Sequence, residues 1–159
     1  MNKMNENANA TDAVALPLTL TQASQIVDGA LAYARSQGMA PIAVAAIDSR
    51  GVPLVIKSDH RGSLLRWEIA YAKAWGSLGM GAGGRELQKK AEIVPQFMSA
   101  LQQLSGGRVV PVKGGVLIRD VNGLICGSVG ISGDTPDNDE LAATHGITAA
   151  GLKPDTGAA

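Results

Sequence analysis

At 159 residues the chain has the length of one domain, able to bury roughly two-thirds of the surface its unfolded form exposes without covalent staples. Lys and Arg total 14 and Asp and Glu total 14, so no net field gathers polyanions or anionic lipid, and neither nucleic acid nor a membrane surface is an expected partner. The single cysteine, Cys126, excludes an internal disulfide and any CxxC metal or redox pair, which suits a reducing, cytoplasmic setting.

Residues 1–17 are rich in Asn and Ala, without period and without the apolar core of a leader, and read as a loose tail. A bland stretch at 153–159 reads the same way, which leaves a domain over 18–152. Thr21 is the expected N-cap of a first helix whose buried stripe is Ala23, Ile26, Val27, Ala30, Leu31 and Ala34, with Gly38 as its stop. Residues 42–47 and 52–56 are β-rich runs joined by a short polar turn ending in Gly51, a hairpin. Helical spacing returns over 64–78, breaks at the glycines of 79–84, and resumes over 85–104 with an interruption at Pro95. A short strand at Val109 and Val110 is followed by a second hairpin, 115–119 with 124–131. Thr135 caps a last helix with Pro136 in its first position, and Asp137, Asp139 and Glu140 complement the positive end of its dipole. About five mostly antiparallel strands with helices before, between and after them make an α+β fold and disfavour a parallel dinucleotide-binding sheet.

The letters GxGxxG occur at 79–84, yet they follow a helix, and the dinucleotide mechanism requires a strand feeding a helix N-terminus; a connection between helices is the better reading. Gly127 and Gly130 stand inside a strand, where a missing side chain means that a ligand or another backbone comes close. Lys73 shares its helical face with Ile69, Ala70, Gly76 and Ser77 and has no carboxylate at pairing distance along the helix. Its ammonium either snorkels to solvent or meets an anionic ligand with its proton affinity lowered by desolvation. His60 and His145 lie in no metal or triad spacing, so no metal site is expected. Arg85 and Arg108 each follow a Gly pair, and a guanidinium on a turn suits two-pronged capture of a carboxylate. Cys126, in an apolar strand, reads as a small buried hydrophobe.

The order LTLTQASQIVDGALAYARSQG, VAAIDSRGVPLVIKSD, AYAKAW, GGRVVPVKGGVLIRD and GSVGISGDTPDNDE resembles the GlcG/HbpS family, which includes the C-terminal domain of PduO-type proteins. The resemblance implies a profilin-like fold, a five-stranded antiparallel sheet flanked by helices, assembled as a homo-oligomer. It implies a small-molecule ligand, haem or a small organic carboxylate, and leaves the cofactor unknown with haem as the family's candidate. By position, Lys73 and the strand from Gly127 match family features, whereas His60, Arg61, Trp67 and Glu68 stand where many members have a different stretch and so individualise this pocket. The expected ligand-binding set is therefore Arg61, Trp67, Arg85, Arg108, Gly127 and Gly130. The alternative is a catabolic hydrolase or isomerase acting on an unsaturated or ring-derived carboxylate. In it Arg61 or Arg85 holds the acid, Glu68 or His60 moves a proton, and Lys73 stabilises developing charge.

Overall fold

The computed structural model describes residues 15–158; residues 1–14, which hold most of the expected N-terminal tail, lie outside it, as does residue 159. Helix α1 (Leu20–Ser36) starts at a reciprocal cap: Thr19 Oγ1 accepts from the Gln22 backbone N–H at 3.2 Å, and Gln22 Oε1 accepts from the Thr19 N–H at 3.0 Å. The cap is thus Thr19 and not the expected Thr21, because the reciprocal bond needs Glu or Gln three positions on, and Thr21 finds Ser24 there. Gly38, with φ of 64°, ends the helix as anticipated.

Strands β1 (Ala43–Asp48) and β2 (Pro53–Ser58) form the first hairpin. Three helices follow: α2 (Arg66–Met80), α3 (Gly84–Ile93) and α4 (Pro95–Leu104). The glycine run at 79–84 joins α2 to α3, with Gly81 (φ 61°) as the left-handed cap of α2. Strands β3 (Gly115–Arg119) and β4 (Ile125–Ser132) are the second hairpin. Helix α5 (Pro136–Ala149) starts at the expected Thr135, whose Oγ1 accepts from the Asn138 N–H at 3.2 Å, and β5 (Lys153–Asp155) closes the fold.

The sheet runs β2-β1-β4-β3-β5 with every neighbouring pair antiparallel. The fifth strand is not the expected one. Val110 accepts from the Val112 N–H across Pro111, a tight turn that no extended strand makes, and Pro111 itself has no N–H to offer. Its place is taken by Lys153–Asp155, which the sequence reading assigned to a tail. A three-residue strand carrying Pro154 shows no alternation and is tolerated only at a sheet edge. Arg119 fixes it there by a 2.8 Å ion pair to Asp155.

One face of the sheet (Val44, Ala46, Val116, Ile118, Val129, Ile131) packs against the buried stripes of α1 and α5. Those two helices touch closely, since a Cβ on Gly29 would lie 3.3 Å from the Gly146 Cα. The other face carries α2. Ala45, Gly130 and Gly115 form a row across three neighbouring strands, nearly bare of side chains. Backbone of α2 fills the space above it: a Cβ at Gly130 would strike the Ala70 carbonyl, and one at Gly115 the Lys73 carbonyl. This close seating places Lys73 at the sheet.

Candidate functional site

Lys73 is 5% exposed. Its Nζ donates to the Ile131 carbonyl at 2.8 Å and to Asp139 Oδ2 at 3.1 Å, and Asp139 Oδ1 accepts from the Asp134 N–H at 3.0 Å. Room for the ammonium exists because residue 114 is glycine; with φ of 105° it suits no other residue, and a Cβ there would lie 3.0 Å from Nζ. Burial pulls Lys73 below its ordinary proton affinity, and the attraction of Asp139 offsets only part of that. Burial likewise pushes the Asp139 carboxyl up against the pull of Lys73. The anion that Lys73 meets is therefore the protein's own, supplied 66 residues away by α5, and Lys73 lines none of the grooves described below.

A second ionic group sits on the same helix end. Arg85 Nε donates to Glu140 Oε1 at 2.7 Å and lies 3.9 Å from Asp137, which Lys113 also pairs at 2.7 Å. Glu140 Oε2 is buried with no hydrogen-bond partner among the described residues. Arg85 borders a groove with Lys89 and Lys113, but its charge is already matched by acidic neighbours.

The loop after β2 makes a different arrangement. The Asp59 N–H donates to the Ile42 carbonyl at 2.9 Å, and Asp59 Oδ1 accepts from the Arg61 N–H at 3.1 Å. That N–H, with the charges of Arg61, His60 and Arg35 around it, holds the Asp59 carboxyl below its usual value. The loop faces the end of α1 across a groove of about 390 Å³ with Leu31, Ala34, Met39 and Ile42 as floor and Arg35, Arg61 and the Asp59 carboxylate at its edge. Arg61 Nε stays 3.7 Å from Asp59, too long for a hydrogen bond, and Arg35 has no ion pair among the described residues. His60 projects beside them, 88% exposed, with Nδ1 3.4 Å from Asp59. Arg35 was missed by sequence reasoning: it appears as an ordinary last-turn basic residue of α1, and only the packing of β2 beside that turn brings Arg61 to it.

The other expected residues scatter. Trp67 and Glu68 are exposed on the first turn of α2, with Glu68 turned away from buried Lys73. Arg108 lies over the Trp75 ring, 4.4 Å from its centroid, in a third groove. Gly127 and Gly130 sit under protein: a Cβ would meet the Ile47 carbonyl and Leu18 at the first, and Ala70 at the second. His145 stacks on Tyr33 with ring centroids 3.9 Å apart, and Cys126 is buried in the core with its thiol pushed up by burial. No described helix is long and apolar enough to cross a membrane, and no three His, Cys, Asp or Glu converge as a metal-ligand set among the described residues.

A family model described as "Haem degrading protein HbpS-like" matches residues 18–148. No protein of curated function matches the sequence at a significant level. Among solved structures, a PduOC:heme complex is similar at 25% identity with a TM-score of 0.76, over 86% of this chain and 97% of that one. Klebsiella pneumoniae protein ORFY is similar at 23% identity with a TM-score of 0.78, over 89% and 95% of the two chains. Streptomyces reticuli HbpS, as a double mutant, is similar at 23% identity with a TM-score of 0.74, over 86% and 88%. The family match spans both hairpins, the small-residue face beneath α2 and the Lys73–Asp139 pair, and by it the chain belongs to the HbpS-like family.

Proposed function

We propose that this chain is a small-ligand-binding protein whose ligand is haem or a small organic carboxylate, held in the groove between α1 and the Asp59–Arg61 loop. The observation that carries the reading is a pair of guanidinium groups, Arg35 and Arg61, at the edge of an apolar floor without a hydrogen-bonded carboxylate on either. Arginine's fork matches carboxylate oxygens two at a time, and it binds more strongly where the ligand's apolar body is out of water. Haem presents that combination, an apolar plane with two carboxylates, and the donor set fits it. Arg35 and Arg61 would hold the carboxylates, Leu31 and Met39 the ring edge, and the exposed His60 imidazole is a nitrogen donor within the same loop. Haem supplies a redox-active iron when bound. The family description and the heme complex of a relative at 25% identity support the same reading.

Hemin titration followed at the Soret band tests it. We expect a saturable shift, weakened at least about tenfold in an Arg35→Ala/Arg61→Ala variant, since a hydrogen bond to a charged group contributes about 1.5–3 kcal/mol. His60→Ala should change the position of the band if the imidazole reaches the iron. Thermal-shift measurements with small mono- and dicarboxylates on the same variants test the carboxylate form. A protein that responds to neither hemin nor carboxylates, or whose response survives loss of both arginines, excludes this groove.

A further inference from the structure

We infer that the groove between the C-terminal end of α2 and α4 is a second ligand site, for a small molecule with one apolar ring and one carboxylate. Arg108 carries the inference. Its Nε donates to the Ser105 carbonyl at 2.8 Å and its Cζ sits over Trp75, 4.4 Å from the ring centroid, so the group is held in place from two sides. Both terminal nitrogens are left without a hydrogen-bond or ion-pair partner among the described residues. Arg50, Arg85 and Arg119, by contrast, each reach a carboxylate at 2.6–2.8 Å. An arginine held at its Nε and by its place over a ring, with its terminal pair free, is preorganised for two-pronged capture of a carboxylate.

The groove beneath it is apolar, with Trp75, Met80, Leu101, Leu104 and Val109 as its walls, and no acidic residue lines it. Its volume is about 210 Å³. At the roughly 30 Å³ that one water occupies in the liquid, that is room for a single ring with a short acid arm and too little for a tetrapyrrole. Leu104 is 84% exposed, so the apolar wall is open to such a guest. The site shares no residue with the Arg35–Arg61 groove and goes beyond the function proposed for it.

Trp75 reports on its own site once Trp67, which lines neither groove, is replaced by Phe. Titrating the Trp67→Phe protein with phenylacetate should give a saturable change in Trp75 emission in the micromolar to millimolar range. The neutral alcohol counterpart should bind at least about tenfold more weakly, as should phenylacetate to an Arg108→Met variant, the loss expected for a charge-assisted pair. Leu104→Glu, at an exposed position that folding does not depend on, should weaken binding by setting a like charge beside the acid. The inference is overturned by no saturable response, by equal binding of the alcohol, or by binding that survives both substitutions. It is also overturned if Trp75 emission follows protein concentration instead of added acid, which would make a second copy of the chain the occupant. Because the readout is Trp75, hemin binding at the other groove can fail without touching this result.

Discussion

Under α1 and α5 the sheet presents Val44, Val116, Ile118, Val129 and Ile131, branched side chains that fill space. On the other face the row Ala45, Gly130 and Gly115, next to the larger Ile47 and Leu117, leaves space for the backbone of α2 itself. The first face is stabilised by apolar volume, at about 25 cal/mol for each Å² removed from water. The second is stabilised by proximity, and its consequence is chemical: the one lysine that α2 turns inward is sealed off, so it must be matched internally, by Asp139. Neither face keeps room for a guest. The grooves lie at the rims, one beside Arg35 and Arg61, the latter loosely paired with Asp59 at 3.7 Å, and the other beside Arg108.

The largest expected effect tests the sealed charge. Lys73→Met or Asp139→Asn alone leaves the other group buried without its partner and should cost about 3–5 kcal/mol in urea denaturation. Replacing both, Lys73→Met with Asp139→Leu, should recover most of that loss. Burial has lowered the lysine's proton affinity and raised the carboxyl's, so each group, as an ion, opposes folding at neutral pH unless the other is present. A double variant whose loss equals the two single losses summed would show no coupling between the groups, and the mutual matching of Lys73 and Asp139 would be refuted.

A smaller effect compares the two faces directly, at adjacent residues of β4. Gly130→Ala adds one methyl against the Ala70 carbonyl and should destabilise by about 1–3 kcal/mol, because α2 must lift. Ile131→Val removes one methylene-sized group from the branched face and should cost about 1 kcal/mol. If Gly130→Ala is the milder of the two, α2 is not seated on the sheet backbone as described.

The smallest effect concerns the turn that links the faces. Asp134 accepts from Asn138 Nδ2 at 2.6 Å, from the Ala40 N–H at 2.6 Å and from the Thr135 N–H at 2.8 Å, and these bonds hold its carboxyl below the ordinary 3.8. A carboxyl depressed on folding contributes fully above its unfolded value and loses that contribution as pH falls through the folded one. The stability gap between the natural protein and Asp134→Asn should therefore be constant above about pH 4 and narrow below 3.8, measured by thermal melts across that range. A gap unchanged down to pH 2 would show that the carboxylate charge is not what those bonds require.

Much of the fold was legible because it is local. Caps act over three residues, helical stripes over four, and a hairpin needs only two β-rich runs and a turn, so α1, α2, α5 and both hairpins could be read directly, with the α1 cap displaced to the Thr that had Gln three positions on. The candidate site was legible only in pieces. Lys73, Asp139, Arg61 and Arg108 all stood out as residues, and Gly130 as a place where something comes close, but none carried a mark of its partner.

From its own residues the chain determined most of its helices, both hairpins and a net charge of zero. Tertiary structure alone decided that Lys153–Asp155 becomes the fifth strand, that the neighbour above Gly130 is Ala70, and that Lys73 finds Asp139 while Arg35 finds Arg61 at an open groove. The reason is range: period and capping are energies between near neighbours, whereas these meetings join segments tens of residues apart, fixed by sheet register and by how closely α2 can approach a row of small residues.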